Sequence, residues 1–124
     1  MMPLLIDLPW LLGVQEQKLY EEPAVHDYTA LAAAVSRHAF DVAKFDHEPD
    51  AAWRAAALMH TLVRLQPLPV RSSLYACMVV VAYMAAAGEG IDPPYGSIVD
   101  LARDIKEYRV DVYECADRIR TWRI

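Results

Sequence analysis

Positive charge, cysteine and metal-ligand spacing are all scarce in this sequence, and each shortage removes a class of function. Lys and Arg total 12 against 17 Asp and Glu over 124 residues, a net charge of −5. That balance repels a phosphate backbone, so the chain does not read as a nucleic-acid binder. Cys77 and Cys115 are the only cysteines. Each sits in an apolar helical pattern and neither belongs to a CxxC pair, so both read as buried thiols of a protein in the reducing cytoplasm. His26, His38, His47 and His60 show no HxH or HExxH spacing, and no metal site is expected from them. The longest low-polarity run, Leu74 to Ala87, is shorter than the roughly 20 residues that cross a bilayer and stops at Gly88-Glu-Gly90. Met1-Met-Pro-Leu-Leu-Ile6 has no basic flank and is broken by Pro3 and Asp7, which argues against a secretory signal. The expectation is a cytoplasmic protein with no membrane and no nucleic acid among its partners.

What is present is material for a core. With 56% hydrophobic residues the chain suits one domain over residues 1–124. Helical spacing dominates and predicts an all-α bundle of about six helices. Asp7 is placed to cap a first helix ending near Tyr20, with Leu8, Leu11, Leu12 and Leu19 inward. Asp27 caps a second, where Leu31, Ala34, Val35 and His38 share a face. Asp50 starts a third, with Trp53, Ala56, Ala57, His60 and Val63 inward, stopped by Pro67 and Pro69. A fourth begins at Ser72 or Ser73 and is apolar nearly all round through Met84, which predicts a central helix enclosed by its neighbours. Val79-Val-Val81 is strand-like in type, but its place inside a longer apolar segment favours helix. Ile98, Leu101, Ala102 and Ile105 mark a fifth helix. Asp111 and Glu114 match a capping box for a sixth, where Val112, Cys115, Ala116, Ile119 and Trp122 recur at helical spacing.

The chemistry of the corner between the third and fourth helices is sparse. Between Arg64 and Leu74 there is no His, Asp, Glu or Lys, so an enzyme built there would lack its usual acid, base and metal ligand. Arg71, Ser72 and Ser73 make the best candidate phosphate-binding set, since free helix N–H groups and a guanidinium would converge on an anion. The bland alternative is an ordinary serine cap beside a surface arginine. A cation at a helix N-terminus costs roughly 0.3–1 kcal/mol unless something negative joins it.

The order of elements resembles the Fic/Doc fold of the death-on-curing toxins. Asp7-Leu-Pro-Trp-Leu-Leu is similar to their opening, and Asp50-Ala-Ala-Trp-Arg-Ala-Ala-Ala-Leu-Met-His-Thr-Leu-Val to the helix before their signature. Ala82-Tyr-Met-Ala-Ala-Ala-Gly88 is similar to their exit from the central helix, and Trp53-Arg-Ala-Ala-Ala-Leu58, Gly88-Glu-Gly-Ile-Asp-Pro-Pro-Tyr95 and Asp100-Leu-Ala-Arg-Asp-Ile105 resemble segments of small actinobacterial Fic-family toxin components. The resemblance implies a toxin component of a toxin–antitoxin pair, with a small antitoxin as partner. Active relatives move a phosphate or nucleotidyl group from a nucleoside triphosphate to a protein hydroxyl. Their signature is His-x-Phe-x-Asp/Glu-Gly-Asn-Gly/Lys-Arg. Here Gln66 stands at the His, Leu68 at the Phe, Val70 at the acid, Arg71 and Ser72 at Gly-Asn, Ser73 next, and Leu74 at the Arg. Gln66 cannot carry a proton near neutral pH and Val70 cannot hold magnesium. Two readings follow: a transferase in which Gln66 orients the incoming group, or a non-catalytic interaction module on the same fold.

The family's target-positioning flap corresponds to Phe40–Pro49, where Lys44 and His47 are the candidate contacts. His47 stands between Asp46 and Glu48. His60 reads as a core or boundary histidine and Trp10, Trp53 and Trp122 as core aromatics. Pro93-Pro-Tyr95 reads as a rigid connector or a binding edge. Arg109, Arg118, Arg120 and Arg123 read as a solvated helix face or a docking surface.

Overall fold

The computed structural model describes residues 3–19, 24–39 and 49–124. Among these the chain is an all-α bundle of α1 (Leu8–Lys18), α2 (Tyr28–His38), α3 (Ala51–Leu65), α4 (Ser72–Ala86), α5 (Ser97–Lys106) and α6 (Val112–Thr121). Four of the starts are fixed by aspartate. Asp7, Asp27, Asp50 and Asp111 each accept from the backbone N–H three residues on, at 3.0, 3.2, 2.9 and 2.9 Å. A carboxylate there satisfies a donor the helix leaves open and complements its dipole. The starts of α4 and α5 differ: Arg71 and Gly96 precede them in left-handed conformation, and neither has a side-chain cap.

The core is organised around α3 rather than α4. Ala52 to Met59 and Thr61 to Val63 are all buried, and α2, α4, α5 and α6 all pack on α3. Ala52, Ala55, Ala56 and Ala57 have no measurable exposure. Their small side chains let neighbouring backbones approach on several sides at once. The charged Arg54 lies inside this helix, where its Nη1 donates to the His38 carbonyl at 2.5 Å. The expected enclosure of α4 is therefore only half present. Tyr75, Ala76, Val79, Val80, Tyr83 and Met84 are buried, but Leu74 is 39% and Val81 45% exposed.

Two tyrosine hydroxyls tie the N-terminal segment to α4. Tyr75 donates to the Leu11 carbonyl at 2.7 Å and Tyr83 to that of Leu4 at 2.6 Å. His38 completes the anchor: its Nε2 accepts from the Ile6 N–H at 2.9 Å and its Nδ1 bonds the Val35 carbonyl. That pattern describes a neutral ring protonated on Nδ1. Burial, with Arg54 nearby, holds the His38 pKa below its ordinary value. At the other end, Ile91 forms an antiparallel bridge to Arg123. The Asp92 and Ile124 N–H groups donate to Trp122 and Gly90 carbonyls at 2.8 and 3.0 Å, closing the C-terminus onto the segment after α4.

Candidate functional site

The corner from Gln66 to Arg71 is bounded by two non-glycine residues in left-handed backbone conformation, with φ of 50° and 62°. Each such residue costs roughly 1–2 kcal/mol and persists only where the surroundings hold it. The surroundings here are specific. Ser72 is 1% exposed, and its Oγ accepts from the Leu68 N–H at 2.9 Å while donating to the Leu68 carbonyl at 3.1 Å. The Pro67 carbonyl accepts from both His26 and Asp27 N–H groups, at 3.0 and 3.2 Å, locking the corner to the start of α2.

This geometry gives the predicted corner residues different places. Gln66 is half-buried and folds back, its Nε2 donating to the Val63 carbonyl at the end of its own helix. Ser72 faces inward and spends its hydroxyl on Leu68, so it is turned away from the solvent-facing anion position it was expected to occupy. Arg71 is exposed, and Ser73 opens onto a cleft beside α5. Val70 is 52% exposed. Lys44 and His47 lie outside the described residues. No group of three or more His, Cys, Asp or Glu converges to hold a metal ion among the described residues.

The exposed side of α4 is the larger feature. Leu74, Cys77, Met78, Val81, Ala82 and Ala85 line two adjoining clefts that share Cys77. The first, about 690 Å³, is completed by Val99, Ala102, Arg103, Lys106 and Glu107 of the α5 side. The second, about 400 Å³, reaches Lys18 of α1 and Ile98 of α5. From Leu74 to Ala85 the floor runs roughly 16 Å along the helix. Lys18, Arg103 and Lys106 stand at its edges, with Glu107 the one acidic lining residue. Cys77 itself is no nucleophile. Its Sγ points to the Ile98 carbonyl at 3.7 Å, and burial pushes its thiol up to about 11.

Sequence reading missed this face because an all-apolar helix gives no sign of which side lacks a partner. The C-terminal arginines, by contrast, are structural. Arg118 and Arg109 meet Asp104, Arg120 grips Asp50, and Arg123 meets Glu89. Compared with known proteins, the chain matches no family model, no curated protein and no solved structure. No helix among the described residues is long and apolar enough to cross a membrane.

Proposed function

We propose that this chain is a Fic/Doc-like, toxin-type component of a toxin–antitoxin pair that acts by holding a protein, its corner having lost transfer chemistry. The observation that carries the reading is the open apolar face of α4. Leu74, Met78, Val81 and Ala85 follow one helical stripe with only partial cover from α1 and α5. The occupant that fits is an amphipathic helix of a small antitoxin, about three turns long, with acidic residues on its flanks to meet Lys18, Arg103 and Lys106. At the corner, Gln66 and Val70 supply neither a proton carrier nor a cation ligand, and Ser72 is committed to Leu68.

The test is co-expression with the product of the adjacent open reading frame, followed by calorimetry on the purified pair. Wild-type chain should bind it, and Val81→Asp should weaken binding at least about tenfold while melting within a few degrees of wild type, because Val81 is already half exposed. Equal affinity in the two proteins refutes the groove, as does a self-associated dimer that Val81→Asp dissolves. A second titration uses magnesium with ATP or GTP. Saturable nucleotide binding that Arg71→Ala abolishes would replace this reading with the transferase.

A further inference from the structure

We infer that the pocket between α2 and α3 is a phosphate-binding site, formed by Arg37, His60, Thr61 and Arg64. It is an open depression of about 280 Å³, with Ala33 and Leu65 as its apolar walls. Arg37 Nη1 lies 2.9 Å from His60 Nδ1 and donates to Thr61 Oγ1 at 3.3 Å. Because a guanidinium can only donate, Nδ1 of His60 accepts from Arg37, which a neutral ring protonated on its other nitrogen does. Arg64 comes from the same turn of α3, its guanidinium carbon 3.7 Å from the centre of the Tyr108 ring. Stacking on that ring restricts where the guanidinium can reach.

The charge pattern asks for an anion. Arg103, Arg109, Arg118, Arg120 and Arg123 all meet carboxylates. Among the described residues neither Arg37 nor Arg64 does, although the chain carries a net charge of −5. Two guanidinium groups lining one pocket with no carboxylate in that lining repel each other, and a phosphate between them reverses the sign of that interaction. Thr61 adds a second indication. It is 6% exposed, its Oγ1 accepts from Arg37, and its own hydroxyl hydrogen has no acceptor among the described residues. A phosphate oxygen in the pocket supplies one. The planar forks of Arg37 and Arg64 suit a tetrahedral oxyanion bound at two oxygens, and the small volume suits a phosphate group entering from outside. The site stands whether or not a protein docks on α4.

His60 provides the readout. It faces Arg37 from α2, Arg64 on its own helix and Asp111 at the start of α6. A bound dianion favours the protonated ring, so the midpoint of His60, followed by proton NMR, should rise as phosphate is added at constant ionic strength. Inorganic phosphate is titrated in one arm and AMP in the other. Saturation with inorganic phosphate but not AMP identifies free phosphate as the ligand; tighter binding of AMP identifies the phosphate of a nucleotide. In either case Arg37→Gln and Arg64→Gln should bind at least about tenfold more weakly, and Arg123→Gln should bind as wild type. Arg64 is exposed, so its variant remains informative if Arg37→Gln does not fold. Absence of a saturable response to either probe, or an undiminished response in Arg64→Gln, overturns the assignment.

Discussion

Ser72→Ala separates a clamp from a ligand at the corner. In the clamp, one hydroxyl satisfies both the N–H and the carbonyl of Leu68, and both residues are almost fully buried. Alanine leaves the Leu68 N–H without a partner inside the protein, where an unsatisfied donor costs about 1–3 kcal/mol. The better helix propensity of alanine offsets a few tenths of this. The corner also loses what holds Gln66 and Arg71 in left-handed conformation, so the net loss is about 2 kcal/mol. A chain of 124 residues loses about 4 °C in Tm for each kcal/mol, which gives a drop of about 8 °C. Calorimetric melting measures it. Ser73→Ala, one residue on and facing the cleft, should melt within about 1 °C of wild type, since it breaks no such pair. If Ser72→Ala melts like Ser73→Ala, the clamp is wrong and the serine is available for a ligand.

Three further measurements bear on the same fold. Asp50 caps α3 and receives two bonds from Arg120, at 2.7 and 2.9 Å. Asp50→Ala should cost about 1.5 kcal/mol, because the cap is worth about 1 and a partly exposed ion pair less than that. Arg120→Ala, which spares the cap, should cost less than half as much, and equal Tm losses would contradict the division. Burial pushes the thiol of Cys115 up to about 12 and that of Cys77 up to about 11. Iodoacetamide at pH 8 should therefore label the native protein far more slowly than the urea-unfolded chain, with Cys77 ahead of Cys115; rapid native labelling of Cys115 would refute its burial. His38 and His60 are both held below 6.5, chiefly by burial. Their contribution to stability is intact above that value, falls as pH drops through it, and is fully lost below the depressed folded values, at no more than about 1.4 kcal/mol per pH unit for each ring. Urea midpoints at pH 7.5, 6 and 5 should decline in that order, and a flat series would show that neither ring is held neutral.

Much of the fold was legible because its signals are local. An aspartate before an apolar period names a helix start from a few residues, and all four such starts are where the pattern put them. The inward faces of α5 and α6 follow from spacing alone, as Leu101, Ala102 and Ile105, and Cys115, Ala116 and Ile119, are buried. Which of α3 and α4 is the central element was not legible. Only α4 is apolar on nearly every side, whereas α3 carries Arg54, His60 and Arg64, so hydropathy favours α4 and only tertiary packing decides that the alanine-rich helix takes the centre. Arg54 shows the same limit, since no periodic rule buries a guanidinium against a distant carbonyl. At the corner, a serine at a helix start ordinarily bonds forward to the helix N–H groups, whereas Ser72 bonds back to Leu68. The Arg37–His60 contact joins residues 23 apart in sequence and depends on the register between α2 and α3, which no single helix records.

The two proposed surfaces meet opposite ends of one corner, which bears on whether they communicate. Arg64 and Leu65 lead into it from the phosphate pocket, and Ser73 and Leu74 leave it along the protein-binding groove. Coupling between sites requires an element with two arrangements that both ligands bias. The corner has little scope for a second arrangement, because Ser72 holds Leu68 twice and the Pro67 carbonyl holds the start of α2. The buried alanines of α3 leave the helix behind it equally little room to shift. Phosphate should therefore leave the affinity of the groove for its partner unchanged within about twofold, or roughly 0.4 kcal/mol. Calorimetry of the partner with and without saturating phosphate measures this. A change of about fivefold or more would show that the corner moves, and would recast the Ser72 clamp as a switch.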